Sequence, residues 1–323
     1  MKNLRTAAAL AAALAMSAFS GVAFAQYPDK AIRMVVPQAA GSATDNGARV
    51  VAHELSKVLG QPIVVDNRPG GAFSIGNDAV AKSAPDGYTI LAGNIGGFAI
   101  APNMMAKLPY DIDKDFQPVR LMQMTHLMLM VSPKRDFKNI EELVAYAKAN
   151  PGKLTHASSA TGSPGHVGAE LFKHMAGIDA VHVPYKGGAA AISDLIAGRV
   201  DFMMESLASA SPHVKAGSVR GIGVSGAERS KAFPDIPAIG EVVKGYVAPS
   251  WAGVLAPAGM PKEVLAKLAE ALDKVSDSPS YIEYVTKTGN ETVKSDPESF
   301  TKFIRAERAK WKEVVERAGA KLN

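Results

Sequence analysis

Along most of its length this chain alternates short apolar runs with stretches of helical periodicity, a pattern that limits it to sheets with helices packed on their faces. Residues 31–37 (AIRMVVP) read as a buried strand. From 45 to 59 the apolar residues Ala48, Val51, Leu55, Val58 and Leu59 keep the spacing of one helix face. The unit repeats as a strand at 62–67, a turn at Pro69-Gly70-Gly71, a helix over about 75–83 and a strand at 88–92. A second set fills the middle of the chain: helix 139–149 behind Asn139 as N-cap, strand 154–158, helix 164–175, strand 180–183, helix 189–197 and strand 200–204. Strands at 222–224 and 250–256 follow, and two helices, 261–275 and 297–318, are predicted to close the chain. The last carries Phe300, Phe303, Ile304, Trp311, Val314 and Val315 on one side and charges on the other.

Between the two sets lies an apolar stretch at 119–131 (VRLMQMTHLMLMV) that is too long for an ordinary strand and has neither clean period. It is predicted to be a strand passing from one domain into another. A length of 323 residues also suits two domains. The division predicted is an export signal at 1–25, a first domain from 26–124 plus 248–323, and a second domain from 125–247.

The export signal rests on Lys2 and Arg5 at the start, an apolar run at 7–19 and Ala23-Phe24-Ala25 before a cut at Gln26. Its removal takes two basic residues with it, so the formal charge falls from +5 to +3. With no run of Lys or Arg elsewhere, nucleic acid is not an expected partner. There are no cysteines, which excludes disulfides and thiolate metal sites. No other apolar stretch is long enough to span a bilayer, so the mature chain is expected to be periplasmic, monomeric and not membrane-embedded.

Several enzyme and metal signatures fail on inspection. His53-Glu54-Leu55-Ser56-Lys57 begins like a zinc-protease helix but places Lys where the second ligand must be. Asp111, Asp113 and Asp115 open like a calcium loop, yet Phe116 and Met122 stand at its Gly and Glu positions. The glycines of 221–226 match a dinucleotide fingerprint without the long helix it requires. Thr161-Gly162-Ser163-Pro164-Gly165 misses the serine-hydrolase elbow by its first residue. No catalytic set, metal or cofactor is expected.

Two loops do stand out, each joining a buried strand to a helix, one in each predicted domain. The first runs Pro37-Gln38-Ala39-Ala40-Gly41-Ser42-Ala43-Thr44-Asp45; the second runs Ser158-Ser159-Ala160-Thr161-Gly162-Ser163-Pro164-Gly165-His166. Both are small, nearly uncharged and rich in Gly, Ser and Thr. Such residues let backbone approach a ligand, and the unpaired N–H groups and dipole of the helix that follows favour an anion without any Arg or Lys. Helix capping by Ser42 and Ser163 explains either loop alone equally well. Two such loops facing each other across a hinge are the better argument for a ligand site.

The ordered blocks VVPxAAGxxTDxxAR at 35–49, DNRPGGxxxIG at 66–76, PDGYTIL at 85–91 and KLPYDxxKDFxPV at 107–119 resemble the Bug family, the extracytoplasmic receptors of tripartite tricarboxylate transporters. SPGHVGAELFKxxAG at 163–177, HVPYKGGAAAxxDLxxGxVDxM at 182–203 and PDIPxxxE at 234–241 extend the resemblance over the mature chain. It implies a type II-like periplasmic binding protein: two α/β domains with parallel-rich sheets, two hinge-crossing strands and a ligand cleft between them. It also implies that the two loops act as pincers on a ligand carboxylate.

Carried over by position, the ligand-binding residues are Gln38, Ala39, Ala40, Gly41, Ser42 and Thr44 in one loop and Ser158, Ser159, Thr161, Gly162, Ser163 and His166 in the other. Glu205, where many relatives have Asp, could meet a ligand amine or hydroxyl. Tyr185, Lys186 and residues 94–98 are further candidates. Gln38 and Ser42-Ala43 depart from the usual loop. The expected function is capture of a small organic carboxylate (a di- or tricarboxylate, acidic amino acid or aromatic acid) for inner-membrane permease subunits of the tripartite tricarboxylate transporter. A sensor presenting its ligand to a signalling protein is the alternative, and a hydrolase or lyase using Asp45, His166 or Glu205 a third.

Overall fold

A computed structural model describes residues 27–318, so the predicted export signal lies outside the described residues. Among the described residues eleven strands divide between two sheets. The first sheet holds β1 (Ile32–Val36), β2 (Ile63–Asn67), β3 (Thr89–Asn94), β4 (Phe116–Thr125), β10 (Ser250–Pro257) and β11 (Glu291–Thr292), in the order β11-β4-β10-β3-β1-β2. The second holds β5 (Leu127–Val131), β6 (Leu154–Ser158), β7 (Ala180–Pro184), β8 (Phe202–Ser206) and β9 (Arg220–Val224), in the order β7-β6-β8-β5-β9.

Each sheet contains one parallel trio, with β1 between β2 and β3 and β6 between β7 and β8. The remaining pairings are antiparallel, so the sheets are mixed where the sequence suggested parallel-rich ones. The reason lies in the crossings. Strands β1, β3, β6 and β8 end at the cleft, whereas β5 and β10 arrive from the other domain, begin at the cleft and must run the opposite way. The apolar stretch at 119–131 is indeed a crossing strand, broken only at His126 between β4 and β5.

Local sequence explains most helices. Ala43–Leu59 starts at the Ser42 cap, stops at Gly60 with φ 70°, and buries Ala48, Val51 and Leu55 as its spacing predicts. Val58 instead stays 38% exposed. Three helices close the chain where two were expected, because Pro279–Lys287 intervenes between Lys262–Ser276 and Pro297–Ala318. Its signals are short but present: the Ser278 cap, Pro279 in the first turn, and buried Tyr281 and Val285 four apart. Leu207–Lys215, rich in Ser and containing Pro212, forms on the strength of the Ser206 cap and the burial of Leu207 and Ala210.

Helix Pro297–Ala318 buries Phe300, Ile304, Trp311, Val314 and Val315, and Phe300 meets the edge of Trp251 at 5.6 Å between ring centroids. It packs on β4 and the π-helical segment Gly96–Ile100 of the first domain and also on helix Pro164–Ala176 of the second. One apolar cluster consequently runs through both halves of the molecule, from Leu91 and Trp251 to Phe172 and Tyr246.

Candidate functional site

A cleft of about 890 Å³ opens between the two sheets, at the ends of the parallel strands. Both Gly/Ser-rich loops line it, and they are built the same way. In the first, Gly41 takes φ 80°, its N–H donates to Asp45 Oδ2 at 2.8 Å, and Asp45 N–H donates back to Ser42 Oγ at 3.2 Å. In the second, Gly162 takes φ 78°, its N–H donates to His166 Nδ1 at 3.1 Å, and His166 N–H donates back to Ser163 Oγ at 3.3 Å. Each loop also closes on itself, Ser42 N–H to the Ala39 carbonyl at 3.2 Å and Ser163 N–H to the Ala160 carbonyl at 3.1 Å. A left-handed φ carries no steric penalty for glycine, unlike residues with a Cβ, which accounts for Gly at both positions.

The reciprocal capping uses up the third-position N–H of each helix and leaves the donors before it free of the cap. In the first loop these belong to Ala43 and Thr44; in the second, Pro164 has no N–H and Gly165 supplies one. Capping and ligand binding are therefore compatible uses of the same residues. Thr44 Oγ1 and Gln38 Oε1 both accept from Asn94 Nδ2, at 3.0 and 3.3 Å. A hydroxyl that accepts in this way still has its own proton to donate, and the Gln38 amide still has its NH2.

Of the residues proposed from sequence, Gln38, Ala39, Gly41, Ser42, Thr44, Ser159, Thr161, Ser163 and Glu205 line the cleft, with Lys186 and Asn94. Ala40, Ser158, Gly162 and His166 do not. Ser158 is fully buried, its hydroxyl donating to the Ala160 carbonyl at 3.0 Å and lying 2.7 Å from His182 Nε2. His166 sits behind its loop, stacked on His182 at 3.9 Å, with His156 next in the stack at 4.8 Å from His182. Burial depresses all three histidines, His166 to about 4 and His182 to about 3, so His166 is the neutral acceptor that the Gly162 N–H requires. Tyr185 turns away to donate to Asp194 Oδ2 at 2.7 Å, and Phe98 is buried in the core.

Asp45 is likewise a support for its loop. It is 1% exposed and accepts from Gly41 N–H, from Arg49 Nε at 3.0 Å and from Asn67 Nδ2 at 2.8 Å. Burial pushes its carboxyl up, but the donors from Arg49, Gly41 and Asn67 outweigh that and hold it below the ordinary value. The trio suggested for hydrolysis is thus dispersed: Asp45 is satisfied under one loop, His166 stands behind the other and Glu205 lies between strand and helix. Among the described residues no group of three or more His, Asp or Glu could hold a metal.

The cleft wall contains a second pair of loops, of which the sequence reading named only Lys186 as a candidate. Pro69-Gly70-Gly71-Ala72 follows β2, and Lys186-Gly187-Gly188-Ala189 follows β7; residues of both line the cleft. Ala72 and Phe73 hold left-handed φ values of 48° and 75° there, an unusual conformation for residues with a Cβ. The Gly-Gly pairs in corresponding places after successive strands were the available signal. The N-termini of helices Ala43–Leu59, Pro164–Ala176, Gly188–Ala197 and Leu207–Lys215 all open on the cleft, which among the described residues has only Lys186 and His213 as basic side chains and Glu205 as its acidic one. Its attraction for an anion comes mainly from main-chain donors and helix ends.

Comparison with known proteins bears on the family and the fold. The model of the tripartite tricarboxylate transporter family receptor matches residues 47–320. Protein BugT of Bordetella pertussis is 35% identical over 298 residues, covering 92% of this chain and 91% of its own. Among solved structures, Rpa4515 of R. palustris with adipate has a TM-score of 0.86 at 34% identity, over 92% of this chain and 100% of that one. MatC from Rhodopseudomonas palustris with bound malate has a TM-score of 0.82 at 30% identity, over 90% and 100%.

Proposed function

Because the chain belongs to the tripartite tricarboxylate transporter receptor family, a family of periplasmic binding proteins rather than enzymes, we propose that it captures a small organic carboxylate between its Gly41-Ser42 and Gly162-Ser163 loops and delivers it to inner-membrane permease subunits. The observation that carries this reading is the paired construction of the loops, each a left-handed glycine followed by a serine cap that leaves first-turn N–H groups facing the same cleft. Adipate bound to one relative and malate bound to another support a carboxylate as the ligand class. We also propose that the chain divides as 26–124 with 248–323 against 125–247, which the strand membership of the two sheets supports.

Energetics permit such a site without an arginine. Micromolar binding corresponds to about −8 kcal/mol. Charge-assisted hydrogen bonds contribute about 1.5–3 kcal/mol each, so a handful suffices after ordering costs.

A thermal-shift and calorimetric panel of mono-, di- and tricarboxylates on the native protein tests the reading, since a ligand that binds only the folded state raises Tm by mass action. Thr44→Val and Thr161→Val, which remove one hydroxyl donor from each loop, should each weaken the carboxylate that binds by about tenfold or more, the loss of one hydrogen bond to a charged group. Unchanged affinity in both variants contradicts the proposal.

A further inference from the structure

Among the described residues Glu205 is the one acidic side chain in the cleft lining, and no cationic group acts on it there. It is the penultimate residue of β8 and is only partly buried. Its Oε1 accepts from Ser206 N–H at 2.7 Å, and the Ser159 hydroxyl nearby favours its charged form. On the other side stands Gly188, where a Cβ would lie 2.8 Å from Glu205 Oε2, so glycine is what lets the carboxylate sit against the uncapped start of helix Gly188–Ala197. Gly165 of the second loop presses on the β8 backbone just before it: a Cβ there would lie 2.1 Å from the Met204 carbonyl and 3.9 Å from Glu205 N. The fold has thus placed a carboxylate of its own at an uncapped helix start in the cleft, next to the loop that would hold the ligand's carboxylate.

A carboxylate in that place repels a second one and pairs with a donor. We propose that Glu205 sets the specificity of the cleft by accepting a hydrogen bond from a hydroxyl or ammonium group that the ligand carries close to its bound carboxylate. The ligand class is therefore a hydroxy or amino acid in preference to the unsubstituted acid of the same length. This rests on the carboxylate reading of the two loops. Burial pushes the Glu205 carboxyl up, with the Ser206 and Ser159 donors pulling it back, as expected of an acceptor whose full set of donors is completed by the ligand.

The test is calorimetric titration of the native protein with matched acids of three to six carbons, each unsubstituted, hydroxylated and aminated, for example succinate, malate and aspartate. The expected result is a preference of tenfold or more for a substituted acid over its unsubstituted parent. In Glu205→Gln, which keeps the shape and supplies an NH2 in place of one oxygen, that preference falls below threefold. Gly188→Ala keeps the charge but displaces the carboxylate, and reduces the preference in the same direction; it also serves if Glu205→Gln folds poorly. Equal binding of parent and substituted acids, or a preference that survives both variants, overturns the assignment of Glu205 while leaving the two-loop reading intact. Failure of every acid to bind overturns both.

Discussion

The Asp45→Asn substitution tests how the first loop is held. Asp45 Oδ2 receives two donors, Gly41 N–H and Arg49 Nε, and Oδ1 receives a third, Asn67 Nδ2. Asparagine has one oxygen and one NH2. Its better orientation keeps the oxygen towards Gly41 and Arg49 and sets the NH2 against the Asn67 amide, donor against donor. One buried hydrogen bond to a charged group is then lost and two others lose their charge assistance, a cost of about 2–4 kcal/mol in unfolding free energy. Asn67 Nδ2 also donates to the Gln38 carbonyl at 3.1 Å, so the disturbance reaches the loop directly. Because the native carboxyl is held below its ordinary value of about 3.9, the stability it contributes is present above that pH and is lost as pH falls through the lower folded value. The variant should lack that part of the acid dependence. Urea unfolding at pH 7 and at pH 3.5, together with carboxylate titration, reads all three effects. A variant within 0.5 kcal/mol of the native protein, by the general range for inconsequential surface changes, with unchanged ligand affinity and acid dependence would show that the Asp45 network does not organise the loop.

Other outcomes follow from the same geometry. Gly165→Ala, whose Cβ would lie 2.1 Å from a backbone carbonyl, should cost about 1–3 kcal/mol or more, or prevent folding, as seen in the urea midpoint. The depressed pKa values of His156, His166 and His182 mean that the unfolded chain binds more protons than the folded one. Stability should therefore be complete above about pH 6.5 and decline as pH falls towards 4, by up to about 1.4 kcal/mol per pH unit for each histidine. His166→Gln should flatten that decline, and a midpoint independent of pH from 7 to 5 in the native protein would contradict it. Trp311→Ala, removing a side chain only 1% exposed from the closing helix, should cost about 3–5 kcal/mol by thermal or urea unfolding.

Much of this molecule was legible in its sequence, and the exceptions share a cause. Helix Ala43–Leu59 declares itself through Ser42, Gly60 and one apolar face, and the crossing strand through a run too long and aperiodic for a single sheet. Both are signals of local chemistry or simple length. What stayed hidden depends on backbone conformation and tertiary contact, whether within one loop or across the chain. His166 and Asp45 looked like ligand or catalytic residues because their partners, Gly162 and Gly41, only reveal their role when the glycines adopt left-handed φ and turn their N–H groups back. The stacking of His156, His166 and His182 comes from two neighbouring strands and a helix, which spacing in the sequence does not encode. Helix Leu207–Lys215, poor in intrinsic propensity, forms because tertiary burial of Leu207 and Ala210 outweighs Ser and Pro212. The cleft's hinge-side wall, with Gln123, Tyr284 and Asn290, gathers residues from distant parts of the chain.

The most direct test of the central claim is an amide-resolved NMR titration with the tightest-binding carboxylate, set against the corresponding neutral amide. If the two loops hold the carboxylate through main-chain donors, the N–H resonances of Ala43, Thr44 and Gly165 move together and saturate at one stoichiometric equivalent, while the neutral amide leaves them in place. Saturable binding that shifts amides elsewhere and leaves those three unmoved would contradict the account.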